Sequence, residues 1–340
     1  MSIPAGKIVE RVGYKKGMVY GFAIAGGGAF LFLPAAWLHQ YPLFLGALFV
    51  LAIGIVLLQV AANPYITLLG KPETASSRLT FIQGVGSLGT TVAPIFGAHF
   101  ILSKLTNGSS EETVSGPYIG IGFVLLLIAL SISFIKLPGT GAAPQHSDQQ
   151  PKGNVFAFRN LRFGLIAIFM YVGAEVAIGT FLTNYIADLL HIKEHQANSY
   201  VAFYWGGMLV GRFGGSVLLK YFRPQRVLVV AAIAACLLII ISLLSSGHWA
   251  VWTMVATGIC NSVMFAIIFS LSVNGLGTYT TKASGLLSTA IAGGAAIPYL
   301  KGLLIDHFSW VWGFALMILC YLYIVFYGTN GHKPGRPQGI

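Results

Sequence analysis

A chain of 340 residues with 56% hydrophobic and only 9% charged residues is too apolar for a water-soluble protein, because soluble domains contain about 25% charged residues. The net charge of +11 does not indicate nucleic-acid binding, because the basic residues are spread over many loops and are not pooled on one soluble domain. Cys236, Cys260 and Cys320 all lie in apolar segments. They are therefore expected to be core residues and not a disulfide framework or a metal site.

Long apolar segments fill most of the chain and predict an all-α integral membrane protein. A membrane helix needs about 20 mainly apolar residues, and in lipid only helices and closed barrels satisfy every backbone hydrogen bond. The segments are apolar on all sides and lack the alternation of barrel strands, which favours helices. In chain order, the ten predicted spans are 17–38, 43–69, 79–103, 117–136, 162–187, 197–219, 226–245, 249–273, 280–303 and 309–328.

The longest polar break, at 137–160, is rich in Pro, Gly and Gln and is predicted to be a linker. It separates an incomplete N-terminal half at 1–136 from a six-helix half at 161–328, which a tail at 329–340 follows. All of the 20 Lys and Arg residues except Lys104, Lys193 and Lys301 fall on one side of the predicted membrane. The positive-inside rule therefore predicts that both termini are cytoplasmic.

A weak internal repeat relates the two halves. The segment AGKIVERVGYKKGMV at 5–19 resembles GSVLLKYFRPQRVLV at 215–229, and each combines the end of a span, a basic loop and the start of the next span. Parallel repeats of six helices are typical of the major facilitator architecture. If the first half repeats the second, roughly two spans are missing upstream, and the chain is expected to be N-terminally truncated, with about ten of the usual twelve helices.

The basic loop GKIVERVGYKK at 6–16 resembles the signature loop between the second and third helices of major facilitators. An acid and several bases at helix ends can form a latch that is made and broken as neighbouring helices move. The predicted latch consists of Glu10, Arg11, Lys15 and, later in the chain, Arg212. The alternative is a basic loop that only fixes the topology.

The segment QVAANPYITLLGKPETASSR at 59–78 is the most specific motif in the chain, and it strongly resembles the fucose:proton symporter family, which includes bacterial glucose/galactose transporters. Further matches are SLGTT at 87–91, YVGAE at 171–175, NSVMF at 261–265 and SGLL at 284–287. The resemblance implies a major facilitator fold and import of a monosaccharide that is driven by an ion gradient. It implies no prosthetic group and no metal.

The chain departs from this family at positions that concern ion coupling. We expect it to lack the first helix, which in the family carries a carboxylate implicated in proton coupling. Gln59 stands where the fucose transporters have a second carboxylate, and Gly86 stands where they have an Asn. The Gln59 form resembles the glucose/galactose branch. A proton is the expected coupling ion, and sodium is the alternative.

The residues themselves also predict a polar site inside the membrane. Gln59 and Asn63 are four residues apart and share one face of a helix, and polar side chains in an apolar span need partners. Amides both donate and accept hydrogen bonds, which suits sugar hydroxyls, and Gln83 supplies a third amide in the next span. The alternative is that these amides bond to neighbouring helices.

Glu175 is the only acidic residue well inside a predicted span. A charged side chain at the membrane midplane costs roughly 3 kcal/mol and tends to be functional. Glu175 is a candidate to bind a sugar hydroxyl, to carry a proton or to act as a neutral structural donor. Tyr171 lies one turn earlier on the same face. Trp205 and Asn261 are further candidates for sugar binding, with plain packing as their alternative.

These observations predict a secondary active transporter that imports a monosaccharide of the glucose/galactose or fucose type by proton-coupled alternating access. The alternative is a non-transporting membrane sugar sensor or an inactive truncated transporter. We do not expect an enzyme, because no catalytic cluster falls at midplane depth. The expected location is a bacterial inner membrane, and the expected partners of the monomer are the sugar and the lipid bilayer, without nucleic acid.

Overall fold

The computed structural model describes residues 1–38, 40–97, 115–138 and 154–333, and helices occupy the described part of every predicted span. Residues 98–114 and most of the predicted linker lie outside the described residues. In chain order, the helices are α1 (Ser2–Phe30), α2 (Phe32–Leu38), α3 (Tyr41–Leu68), α4 (Ala75–Gly97), α5 (Ser115–Phe134), α6 (Arg159–Leu190), α7 (Glu194–Tyr221), α8 (Pro224–Leu244), α9 (Gly247–Asn261), α10 (Met264–Val273), α11 (Thr280–Ala290), α12 (Gly293–His307) and α13 (Trp310–Phe326).

Eight helical segments in the described part of the chain are long and apolar enough to cross a membrane. They correspond to eight of the ten predicted spans. The other two spans form α4, of 23 residues, and α7, of 28 residues. These two helices are less apolar because they carry polar residues such as Gln83, Ser87 and Arg212. The prediction of an all-α membrane protein with about ten spans is confirmed.

The predicted span at 17–38 is interrupted at Leu31, between α1 and α2, and two further predicted spans are each broken into two helices. The span at 249–273 forms α9 and α10, which are separated at Ser262 and Val263, and the span at 280–303 lies in α11 and α12, which are separated at Ile291 and Ala292. Continuous hydropathy conceals these breaks. At the break between α9 and α10, the Ser262 hydroxyl donates to the carbonyl of Ile259 at 2.6 Å. This bond gives the backbone an alternative to helical bonding.

The basic loop at 6–16 is a sharp bend inside α1. At Gly13, the backbone angles are φ 82° and ψ 164°, a conformation that side-chain-bearing residues rarely adopt. Helix therefore lies on both sides of this bend.

Packing divides the chain into two compact units. Unit 1 consists of Met1–Leu69, Gly89–Lys152 and Gly277–Thr289. Its core is formed by α1 and α3, which cross closely because Gly54 lies against Ala25 and Gly21 lies against Leu58. The buried side chains of this core are Ala5, Val9, Tyr14, Met18, Leu57, Val60, Ala61 and Tyr65.

Unit 2 consists of Gly70–Leu88, Gly153–Leu276 and Ala290–Ile340. Its central element is α6, of 32 residues. A glycine on α12 and a glycine on α6 allow these helices to pack closely, because Gly293 lies against the carbonyl of Phe169 and Gly173 lies against Ile297. Each unit contains residues from both predicted halves, so the units do not coincide with the halves. The division of the chain into two repeated halves at 137–160 therefore stays a prediction.

Candidate functional site

The most polar part of unit 2 is an ion pair between α6 and α7. Arg212 Nη2 lies 3.6 Å from Glu175 Oε1, and these side chains are 19% and 13% exposed. The sequence pattern predicts that Arg212 belongs with the basic residues of a cytoplasmic loop and to the latch. That position is wrong, because Arg212 lies well inside α7 and faces a buried carboxylate. Because Arg212 is close in sequence to the loop residues Lys220 and Arg223, the sequence does not distinguish it from them.

The same arginine reaches α4. Arg212 Nη1 donates to the hydroxyl of Ser87, and this hydroxyl donates to the carbonyl oxygen of Gln83 at 2.9 Å. Gln83 and Ser87 are one turn apart on α4. Gly84 allows the helices to approach, because a Cβ atom at this position would lie only 3.3 Å from the Phe213 ring. The polar cluster of Gln83, Ser87, Glu175 and Arg212 is thus held by three helices.

Two buried polar atoms of this cluster have no hydrogen-bond partner in the described structure. They are Gln83 Oε1, an acceptor, and Arg212 Nε, a donor. Leaving such an atom unsatisfied costs about 1–3 kcal/mol. A hydroxyl group donates one hydrogen bond and accepts others, so ligand hydroxyls can satisfy both kinds of atom. The cluster is therefore chemically suited to a polyhydroxylated ligand.

A network of three tyrosines around Asn261 supports the cluster. The hydroxyl of Tyr171 donates to the Asn261 carbonyl at 2.9 Å, and the hydroxyl of Tyr321 donates to Asn261 Oδ1 at 2.7 Å. The amide of Asn261 donates to the Tyr204 hydroxyl at 3.0 Å, which itself donates to the Glu175 carbonyl at 3.1 Å. All four network residues are 0% exposed. Sugar binding by Tyr171 and Asn261 stays a prediction, and their geometry favours support of Glu175.

Trp205 contacts Tyr204 of this network and is 44% exposed. Its ring is edge-on to Tyr204 at a centroid distance of 5.1 Å. Gly179 makes room for the ring, because a Cβ atom there would lie 2.6 Å from Trp205 Cζ2. The predicted role of Trp205 in stacking on a sugar is compatible with this partly exposed face and stays a prediction.

Gln59 and Asn63 belong to unit 1, where they lie on α3. Gln59 is exposed and Asn63 is partly exposed. Neither side chain forms a hydrogen bond with another residue in the described ranges. The alternative that these amides bond to neighbouring helices therefore finds no support there, and both remain available to a ligand.

One of the predicted latch residues in unit 1, Lys15, has an unexpected partner. Lys15 Nζ donates to the carbonyl of Ser133 in α5 at 2.8 Å. Glu10 is partly exposed and Arg11 is exposed, and within the described residues neither is in an ion pair. The latch therefore stays a prediction. Tyr14, which is not among the predicted latch residues, bonds to Thr281 of α11 at 2.8 Å.

Lys301 is a second residue whose position was wrongly predicted. The positive-inside pattern predicts that Lys301 lies on the outer side, near the predicted span end at 303, but α12 continues to His307 and Lys301 is 0% exposed. A basic residue near the end of an apolar segment gives no sequence signal that separates a surface position from a buried one.

Comparisons with known proteins agree with this architecture. The family model described as Major Facilitator Superfamily matches residues 1–297. A glucose/galactose transporter of Brucella abortus biovar 1 (strain 9-941) is 44% identical over 338 residues, which cover 98% of this chain and 82% of the relative. An L-fucose-proton symporter of Escherichia coli (strain K12) is 31% identical over 330 residues, or 89% of this chain and 75% of the relative.

A crystal structure of a major facilitator transporter, FucP, in the outward conformation has the same fold. It superposes with a TM-score of 0.89 at 29% sequence identity. The superposition covers 97% of this chain and 86% of that structure.

Proposed function

Because the chain belongs to the major facilitator superfamily, we propose that it imports a monosaccharide across a bacterial inner membrane by proton-coupled alternating access. The bacterial relatives that transport glucose and galactose, or fucose with a proton, support the substrate class and the coupling ion. The predicted topology, with both termini in the cytoplasm, is part of this proposal. A monomer that needs only the sugar and the bilayer as partners is also part of it.

The observation that carries the proposal is the polar cluster in unit 2. A carboxylate and a guanidinium at 3.6 Å are held inside an apolar helix bundle, next to an unsatisfied acceptor and an unsatisfied donor. A sugar hydroxyl can donate to Gln83 Oε1 or to Glu175, and it can accept from Arg212. No groups of three or more potential metal ligands occur in the described residues, and we propose no catalytic role.

Alternating access requires contacts that open and close. In unit 2, the Ser76 and Ser270 hydroxyls are 2.5 Å apart, and the Ser77 hydroxyl donates to the Ser216 carbonyl at 2.6 Å. These residues lie at the ends of α4, α7 and α10 that the positive-inside rule predicts to be cytoplasmic. We assign them to a cytoplasmic gate that separates when sugar is released. The similarity to a transporter solved in the outward conformation supports a closed gate here.

Unit 1 has a corresponding contact at its predicted cytoplasmic end. Tyr14 bonds to Thr281, and a Cβ atom at Gly6 would lie 3.5 Å from the Cα atom of Gly285. The two glycines let α1 and α11 approach closely, as small residues do between membrane helices. We assign it as a separate gate contact within unit 1.

Uptake by purified protein in proteoliposomes tests the proposed function. Radiolabelled glucose, galactose and fucose are offered in turn, with an imposed inward proton gradient and then with an uncoupler. We expect uncoupler-sensitive uptake of at least one sugar, and its loss in Glu175→Gln. Asp306→Asn is the matched control, because Asp306 is an exposed acid outside the cluster. Sugar binding without uptake would instead favour a sensor.

A further inference from the structure

Lys301 is fully buried in α12, and the proposed sugar site does not use it. Its amine donates to the carbonyl of Ala177 at 3.3 Å. It also lies 4.0 Å from the ring centroid of Phe314 and 5.3 Å from that of Phe181. No carboxylate is within ion-pair distance of this amine in the described part of the chain. A lysine in a membrane helix without a counter-ion is costly, and such residues are usually functional.

The surrounding helices are shaped to hold this side chain. Along α12, Gly293, Ile297 and Lys301 follow one another at intervals of one turn and contact α6 at Phe169, Gly173 and Ala177, respectively. On α13, Gly313 leaves space for the lysine chain, because a Cβ atom at this position would lie 3.3 Å from Lys301 Cγ. The amine is therefore built into the junction of three helices.

The charged and titratable groups on these helices have other partners or are exposed. On α6, Glu175 pairs with Arg212, Tyr185 bonds to Ser242, and Asp188 accepts from Trp310 of α13. Asp306 and His307 on α12 itself are exposed, and so is Asp188. On α13, Cys320 contacts Met170 and Tyr321 bonds to Asn261. None of these groups neutralises the amine.

This arrangement suits a group that changes its charge during a cycle. The aromatic rings and the carbonyl stabilise the ammonium form, whereas the apolar surroundings tolerate the free amine. A buried lysine, unlike an arginine, can lose its proton. Glu175 faces a guanidinium that cannot be deprotonated, so a change in the charge of Glu175 breaks an ion pair. A change at Lys301 breaks none.

We propose that Lys301 is a proton-binding site of the transport cycle, a role that rests on the proposed proton-coupled sugar import. The amine takes up a proton from water on the outer side to form the ammonium ion and releases it on the inner side, so atoms and charge balance. The charge of the amine alters its bond to Ala177 and its contact with Phe314. The packing of α6, α12 and α13 then differs between the protonated and the free form.

Two assays on proteoliposomes of the full chain separate this role from sugar transport itself. Exchange of labelled for unlabelled galactose or glucose across the membrane needs no net proton movement, whereas accumulation driven by an imposed pH gradient does. Lys301→Met is permanently neutral and nearly isosteric, and Lys301→Arg is permanently charged. We expect both variants to retain exchange and to lose gradient-driven accumulation. Lys193→Met, at an exposed loop lysine, is the control and should retain both.

The outcomes are distinguishable. Wild-type accumulation in either variant would overturn the role of Lys301 and leave the proposed function intact. Loss of exchange together with accumulation, in protein that still folds and binds sugar, would show a structural role and also overturn it. If Lys301→Met does not fold, Lys301→Arg alone tests the proposal. Gradient-driven sugar accumulation by this permanently charged variant would show that position 301 does not need to bind and release a proton. Failure of the wild type in both assays would instead refute the proposed function.

Discussion

Removal of Arg212 alone should destabilise the protein more than removal of both members of its ion pair. In Arg212→Met, the carboxylate of Glu175, which is only 13% exposed beside Arg212, loses the cation that lies 3.6 Å away. Breaking a buried pair from one side costs about 3–5 kcal/mol. Because both side chains retain some exposure, the lower end, about 3 kcal/mol, applies.

The double variant Glu175→Gln/Arg212→Met should recover most of this loss, because it leaves no buried charge. Both single variants and the double variant form a double-mutant cycle, measured by thermal unfolding in detergent. At about 2 °C per kcal/mol, the Arg212→Met variant should unfold about 6 °C below the wild type. Glu175→Gln should also unfold earlier, because it leaves Arg212 without its counter-ion. If the double variant is destabilised by the sum of both single effects, the two side chains do not form a coupled pair.

Three further predictions concern other contacts. Gly179→Ala should weaken sugar binding and alter tryptophan fluorescence, because its Cβ atom would lie 2.6 Å from Trp205 Cζ2 and displace the ring. A disulfide between Ser76→Cys and Ser270→Cys, whose hydroxyls are 2.5 Å apart, should lock the gate and stop uptake until a reductant is added. Gly293→Ala should lower the amount of folded protein in the membrane, because its Cβ atom would collide with the carbonyl of Phe169.

Controls and contrary results are available for each of these variants. Gly214→Ala is the control for Gly179→Ala and Gly293→Ala, because a Cβ atom at Gly214 has open space around it. It should leave sugar binding, fluorescence and the amount of folded protein unchanged. Unchanged fluorescence and affinity in Gly179→Ala would contradict the position of Trp205. Full uptake by cross-linked protein would remove Ser76 and Ser270 from the gate, and either single cysteine variant shows whether the substitution itself is harmful. Wild-type levels of Gly293→Ala would contradict the close packing of α6 and α12.

The spans and the central carboxylate were predictable from the sequence, for physical reasons. Long apolar runs have few alternatives to a membrane helix, and one acid inside such a run, Glu175, is conspicuous. Its partner was not predictable in this way, because Arg212 precedes several basic residues of a loop. The burial of Lys301 was not predictable for the same reason, because it lies near the end of a predicted span. In both cases, the depth of a basic residue is set by where the helix ends, which hydropathy fixes only to within a few residues.

Contacts between distant parts of the chain had no local signal. Tyr14 and Thr281 are 267 residues apart, and Ser76 and Ser270 are 194 residues apart. Each is an ordinary polar residue that lies near the end of a helix or, for Tyr14, next to the bend at Gly13. The break between α9 and α10 is similar, because Asn261 at this break is stabilised by Tyr204 and Tyr321, partners that only the fold supplies.

The measurement that tests the central claim most directly is gradient-driven uptake of labelled galactose, glucose and fucose by the wild type and by Glu175→Gln in proteoliposomes. The predicted result is accumulation of at least one sugar by the wild type, abolished by an uncoupler and by Glu175→Gln, with the exposed-acid variant Asp306→Asn unaffected. Equal accumulation with and without the Glu175 carboxylate would contradict the assigned site. Absence of uptake of all three sugars by folded, membrane-inserted wild-type protein would contradict the claim that this chain transports these monosaccharides.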